Sequence, residues 1–456
     1  MADKFFELEA EILDKLAGRI HLMLSDAERE DIVSAVVDEI SGELKEQIIP
    51  NELKAISAPE AKRSFITNFL SYGVIDDLLS DNEVEDIIIN GLNNIYIHHS
   101  RKGLVSTDKK FSNQRQLELF IKKLLILSGR SSLKKIINFE LHNIKGRVNI
   151  CASPFGSQIT ITKAKVEPLS IIDLVERRAL SFHLAAQLWL YIEGLSIRPA
   201  NIIIAGGPGT GKTTLMNALF SFIPSTERIV VIEDTLELDT SFEASCSRLE
   251  SDDDMSMEDL VKNSLRMRPD RVVVGEVRGA EAKDLMTAVN IGKNCLGTIH
   301  ASTSREAILR LQNEPMNVPE VLVNLVDVFI ITRKLLVNGE VSRSIEEVSE
   351  TGGMEQRMVL LSQIWKYDFE HNYVKEISPS TVYRDRLATA SGFTSQQIMN
   401  EVKVRAKVLE IMAQKKITNI KDVSTFCRAY NLDNEAALKK LGATKKDLLA
   451  HFENKH

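Results

Sequence analysis

Residues 206–213 read GGPGTGKT, and they stand between the apolar run Ile202, Ile203, Ile204, Ala205 and the stretch Thr214, Leu215, Met216, Asn217, Ala218, Leu219. An apolar strand that runs into glycines and reopens as a helix is the setting of a phosphate-binding loop. Gly206, Gly207, Gly209 and Gly211, with Pro208 and Thr210 between them, let successive N–H groups turn inward around a phosphate. The helix that opens at Lys212 adds the positive end of its dipole. Lys212 can then reach the β- and γ-phosphates, and the hydroxyl of Thr213, ahead of Thr214, can ligate Mg²⁺. ATP and Mg²⁺ are the expected ligands.

Downstream of the loop the pattern alternates. A helix over 212–222 precedes a strand over 228–233, a helix over 257–267 a strand over 272–276, and a helix over 280–290 a strand over 296–300. A helix over 305–311, a strand over 326–332 and two β segments, 342–348 and 358–367, complete the unit. Such alternation predicts a mainly parallel sheet, with ligands at the carboxyl ends of its strands. Each strand delivers a polar group there. The first ends in Glu233 and Asp234 with Glu237 close behind, the second in Glu276 with Arg278 two residues on, and the third in His300. Phosphoryl transfer to water needs a metal-holding acid, a carboxylate that orients the water, and a cation or donor for the charge that develops on the γ-phosphate. Every requirement has a candidate.

Upstream, Phe5, Leu8, Ile12, Leu16, Ile20 and Met23 recur at helical spacing, and so do Ile32, Val36, Val37, Ile40 and Leu44. They predict two amphipathic helices, followed by a linker between Pro50 and Pro59. From about residue 62 the texture changes to a small α+β domain. Its predicted elements are a helix over 72–79, strands over 84–91 and 94–97, a helix over 116–128, and strands over 147–151 and 158–162. Residues 166–169 read as a hinge. Two helices, 171–178 and 183–192, lead into the loop's strand, and helices at 395–414, 422–430 and 434–441 form a tail. The expected organisation is a helical extension over 1–62, the α+β domain over 63–165, the ATPase domain over 166–378 and a helical tail over 379–456.

The 456 residues, 44% apolar, suffice for several cores, and the net charge of −7 argues against a nucleic-acid grip spread over the whole surface. The first 60 residues are rich in acid and the segment after Pro379 in base. Cys151, Cys246, Cys295 and Cys427 lie far apart, in no C-x-x-C pair, so neither a disulfide framework nor a four-cysteine zinc site is indicated. No apolar run approaches the ~18 residues that span a bilayer. The expectation is therefore a cytoplasmic protein without a transmembrane segment, which meets a membrane only through a partner.

The stretches GGPGTGKTT, RIVVIEDTLEL, LRMRPDRVVVGEVRG and GTIHAS resemble the Walker A, Asp box, Walker B and His box of the type II/type IV secretion and type IV pilus assembly ATPases. Within them the chain is most similar to the branch labelled CpaF or TadA and its archaeal relatives, over about residues 84–367. The run GFTSQQIMNEVKVRAKVLEIMAQKKI is also similar to the helical tail of archaeal members. The resemblance implies a RecA-like domain with the α+β domain folding over it, ATP between them, and a homo-hexamer working against an integral membrane platform protein, with no direct nucleic-acid binding. It also implies roles. Glu276 holds Mg²⁺ through water, Glu233 orients the attacking water, His300 senses the γ-phosphate, and Arg147, in GRVNI, approaches the phosphates from the α+β domain.

One departure is Ile161-Thr162-Lys163, where the family has Ile-Arg-Lys, leaving Lys163 as the substitute cation. Another is the missing cysteine quartet of the bacterial secretion and pilus extension motors, which favours the CpaF-like branch. Arg266, Arg268 and Arg278 lie near the Walker B segment, and with Arg147 they exceed what one pocket needs. Some of them are expected to act across a subunit boundary. A RecA-type DNA translocase or helicase is the alternative, since it shares the loop and sheet. The acidic balance, the His box and the lack of a basic, aromatic strand-tracking segment speak against it.

Overall fold

The computed structural model describes residues 5–21, 24–43, 55–56, 58–130, 135–141, 146–154, 156–163, 168–240, 245–252 and 254–453. The chain divides into two compact units, Met1–Glu167 with Gly339–Val341, and Pro168–Asn338 with Ser342–His456. The predicted hinge lies partly outside the described residues, at 166–167, and so does most of the linker between Pro50 and Pro59.

In the first unit, strands Val84–Asn90 (β1), Tyr96–His99 (β2), Gly103–Ser106 (β3), Ile136–Leu141 (β4), Gly146–Cys151 (β5) and Gln158–Lys163 (β6) form one sheet in the order β3-β2-β1-β6-β5-β4. Its neighbouring strands are antiparallel throughout. Alternation puts Ile87, Ile89, Val148, Ile150, Ile159 and Ile161 on the buried face. The helices Phe6–Leu16, Asp26–Glu43, Pro59–Leu70 and Gln114–Leu127 supply the other half of that core through Leu8, Ile12, Val33, Val37, Phe65, Phe69, Leu117 and Leu124. The first helix is shorter than its apolar spacing suggests. It stops at Leu16, and Gly18, at φ +78°, turns the chain, so Ile20 is buried from outside the helix. The helix predicted over 72–79 is a 3₁₀ turn, Gly73–Ile75, followed by the short helix Asp76–Ser80.

The second unit is built on a nine-stranded sheet. Its strands are Ile202–Gly206 (β7), Ile229–Glu233 (β8), Cys246–Glu250 (β9), Arg271–Val274 (β10), Asn294–Ile299 (β11), Val328–Val337 (β12), Glu340–Glu355 (β13), Met358–Asp368 (β14) and Tyr373–Glu376 (β15). They lie in the order β15-β14-β13-β12-β7-β11-β10-β8-β9. From β12 to β9 the pairs are parallel. Every residue of β7, β8 and β10 is buried, as expected for strands covered on both faces. The pairs β13–β14 and β14–β15 are antiparallel.

Helix Phe182–Glu193 is buried over nearly its whole length. Its Leu188, Trp189 and Tyr191 share one core with Leu215 and Leu219 of the helix Lys212–Phe220, and with Val404, Val408, Cys427 and Tyr430 of the C-terminal helices. The tail therefore has no separate core. Arg405 pins it: the guanidinium is bonded to Glu193 (2.8 Å) and Glu401 (3.1 Å) and lies 4.8 Å from the ring centre of Trp189.

Candidate active site

The register of the parallel strands sets the site. Ala205 of β7 pairs with Ile299 of β11, Gly297 of β11 with Val274 of β10, and Val274 with Ile232 of β8. The chain therefore leaves these strands at one edge, where Gly206, His300, Gly275 and Glu233 come next. His300 is the centre of the cluster. Its Nδ1 lies 3.1 Å from the carbonyl oxygen of Gly206 and 3.4 Å from Lys212 Nζ, and its Nε2 lies 3.1 Å from Glu276 Oε1. Arg278 Nε stands 3.6 Å from Glu276 Oε1, and its Nη2 pairs with Asp234. The sequence-predicted Lys212, Glu276, His300 and Arg278 are thus brought together.

The loop has the shape of a cradle that side chains would fill. A Cβ on Gly206 would lie 2.4 Å from Thr332 Oγ1 and 2.5 Å from Thr210 Oγ1, so only glycine fits. Gly209 and Gly211 have φ of +66° and +94°, and Gly211 is the N-cap of the helix that follows. Lys212 Nζ donates to the carbonyls of Gly206 (2.9 Å) and Gly207 (3.0 Å), while Thr210 Oγ1 donates to Gly207 O (2.8 Å). Burial lowers the Lys212 ammonium's pKa, and Glu276 and Glu237 oppose that shift. Thr213 and Thr214 are half-buried in the first turn, and Pro208 is exposed. The Thr213 hydroxyl donates to Glu237 Oε2 at 3.3 Å. Of the two residues read as metal-holding, Thr213 therefore faces Glu237, while Glu276 faces His300. This donor set, a hydroxyl with two carboxylates nearby, suits Mg²⁺.

Glu233 differs from the other acids. It is 3% exposed. Its Oε1 accepts the backbone N–H groups of Glu237 and Leu238, both at 3.0 Å. Its buried Oε2 has no hydrogen-bond partner among the described residues, with Arg248 Nη2 3.7 Å away. Burial pushes the carboxyl up to about 7, against the two N–H groups and Arg248, which pull it down. A Cβ on Gly275 would come within 2.8 Å of Glu233 Cγ, so the position just after β10 needs a glycine beside this acid.

Arg147 is exposed on β5 of the first unit, opposite Thr162 of β6. Lys163 is engaged elsewhere: its Nζ donates to the carbonyls of Leu78 (3.2 Å) and Asp81 (2.6 Å). Arg266 and Arg268 are exposed and make no ion pair among the described residues.

Several supporting residues have no sequence signature. Thr332 Oγ1 lies 2.9 Å from Thr210 Oγ1, and Arg343 Nε donates to Gly209 O at 2.8 Å. Thr298 Oγ1 donates to Gly275 O at 2.5 Å and steadies the turn that carries Glu276. Glu281 accepts the N–H groups of Arg278 (2.5 Å) and Gly279 (2.7 Å). Only the last has a local cue, an acid in the first turn of a helix. A cavity of about 410 Å³, lined by Arg278, His300, Arg310 and Met316 among others, adjoins the cluster. A larger one, about 790 Å³, is lined by Ile88, Tyr96, Leu104 and their neighbours and by none of the candidate residues.

A parallel sheet with a phosphate loop after its central strand, and with acids and a histidine leaving the adjacent strands at the same edge, defines a RecA-like P-loop ATPase. Residues 131–421 match the family described as Type II/IV secretion system protein, and the chain belongs to that family. It is 29% identical over 396 residues to the uncharacterized protein MJ0900 of Methanocaldococcus jannaschii, a match covering 82% of this chain and 70% of that one. It is 30% identical over 242 residues to the conjugal transfer protein TrbB of Rhizobium radiobacter, covering 51% of this chain and 73% of the relative. Among solved structures, the Legionella pneumophila ATPase DotB is 18% identical with a TM-score of 0.44, over 73% of this chain and 90% of that one.

Proposed function

We propose that this chain hydrolyses ATP with Mg²⁺ and, as a homo-hexamer, powers the assembly or retraction of a pilus-like filament or protein secretion, acting on an integral membrane platform protein at the cytoplasmic face. The observation that carries the reading is the chain of contacts Lys212–His300–Glu276 at the carboxyl edge of the parallel strands, beside a buried Glu233. No described helix is long and apolar enough to cross a membrane, which fits a motor that meets the bilayer through a partner.

In this reading the N–H groups of residues 209–213 receive the phosphates, and Lys212 exchanges its two loop carbonyls for phosphate oxygens. Mg²⁺ supplies charge neutralisation at the β- and γ-phosphates when bound. Thr213 would ligate it, with Glu276 acting through water and Glu237 within reach of Thr213. Glu233 orients the attacking water, and a carboxyl titrating near neutrality suits it to accept a proton. His300 ties the γ-phosphate position to Glu276 and the loop, and Arg278 offsets charge beside Glu276. Arg147 acts on the phosphates from the first unit, and one or more of Arg266, Arg268 and Arg278 act on a neighbouring subunit's nucleotide. The test is phosphate release by the purified chain with and without Mg²⁺, together with its mass by light scattering with ATP. A monomer at all concentrations contradicts the ring.

A further inference from the structure

The loop is held from a side that the phosphate-binding motif does not include. Arg343 lies on β13 and Thr332 on β12, neighbouring strands of the sheet. Arg343 Nε–H donates to the carbonyl oxygen of Gly209 at 2.8 Å, and Gly209 sits at φ +66°. In a trans peptide the C=O and the next N–H point in opposite directions. Drawing the Gly209 carbonyl toward Arg343 therefore turns the N–H of Thr210 the other way, away from Arg343. The same residue is gripped by its side chain. Thr210 Oγ1 donates its one proton to Gly207 O at 2.8 Å and so accepts from Thr332 Oγ1 at 2.9 Å, the latter also lying 3.2 Å from Ala205 O. Backbone and side chain of Thr210 are thus both fixed by the neighbouring strands β12 and β13.

We propose that Arg343 is a positioning residue for the nucleotide. It pre-sets the Gly209–Thr210 peptide so that its N–H already faces the phosphates, and it adds positive charge beside the loop. Donors that need no rearrangement on binding raise affinity for both ATP and ADP, because both carry the phosphates that the loop encloses. The predicted effect therefore falls on KM for ATP and on the dissociation constant for ADP, and little on kcat. This inference rests on the nucleotide reading of the site.

The experiment measures Mg²⁺–ADP binding by calorimetry and ATP turnover for the full chain and for Arg343→Met, Arg343→Lys and Lys212→Ala. Arg343→Met keeps the length of the side chain but neither donor nor charge. It should weaken ADP binding and raise KM by about tenfold or more, as loss of a charged hydrogen bond does, with kcat within about threefold of the unmodified chain. Arg343→Lys keeps donor and charge and should recover most of the affinity. Unaltered ADP affinity in Arg343→Met, or a fall in kcat alone, overturns the proposal. If Arg343→Met does not fold, Arg343→Leu, which likewise has neither donor nor charge, takes its place, and wild-type affinity there overturns the proposal equally. An unmodified chain that binds no ADP, indistinguishable from Lys212→Ala, would instead refute the nucleotide reading.

Discussion

Glu233→Gln should make the protein more stable and less active, and the stability gain should depend on pH. Burial lifts the Glu233 carboxyl from an ordinary 4.5 to about 7 in the folded chain. Below about pH 4.5 both folded and unfolded chains hold the proton, and the site costs nothing. Between about 4.5 and 7 the unfolded chain releases it while the folded chain keeps it, so stability falls as pH rises and levels off above about 7. The full cost by pH 8 is about 3 kcal/mol. Glutamine does not ionise, and its Oε1 can still accept the N–H groups of Glu237 and Leu238. Chemical denaturation of both forms without nucleotide should therefore give a gap that is small near pH 5 and approaches ~3 kcal/mol at pH 8. Phosphate release should drop at least ~100-fold in the variant, while in the unmodified chain it should fall roughly tenfold from pH 8 to pH 6 as the carboxylate is titrated. A stability difference that is the same at pH 5 and pH 8 would refute the claim that burial holds this carboxyl near neutrality.

Glu276→Gln should still bind ATP, because the loop is intact, but turn over at least ~100-fold more slowly; filter binding together with phosphate release separates the two. Arg147→Ala should reduce turnover while ADP binding stays close to that of the unmodified chain, and equal losses in both would remove Arg147 from the proposed mechanism. Arg405→Ala leaves the buried Glu193 without its cation and Glu401 with Lys445 alone, and should lower the unfolding free energy by about 3 kcal/mol, read from denaturation at neutral pH.

The part of the fold that positions the chemistry could be read from sequence because its strands are covered on both faces. Runs such as Ile202 to Ala205 and Val272 to Val274 are apolar without alternation, and the glycine that follows each one, Gly206 or Gly275, marks the carboxyl end. Strand β9 left no such trace. Cys246, Ser247, Arg248, Leu249 and Glu250 form the sheet's edge, where one face and one row of backbone groups meet solvent and no apolar run is needed. The first helix ends at Leu16 although the apolar spacing runs on, because Ile20 is buried from a turn beyond its end.

In the site, Lys212, Glu276 and His300 follow from the motifs, since each sits a fixed step after a strand. Thr332 and Arg343 could not be found that way. They reach the loop from strands more than a hundred residues further along the chain, and only the pairing of β12 with β7 brings them there. The pairing of Thr213 with Glu237 rather than Glu276 depends likewise on the conformation of the segment after β8, which spacing does not reveal.

The central claim is that the loop at 206–213 and the acids beside it hydrolyse ATP. Its most direct test is continuous phosphate release from ATP by the purified chain, measured with Mg²⁺, with chelator, and for Lys212→Ala. The account predicts steady turnover in the first case and background in the other two. Equal release by the unmodified chain and by Lys212→Ala, or release indifferent to Mg²⁺, would contradict it.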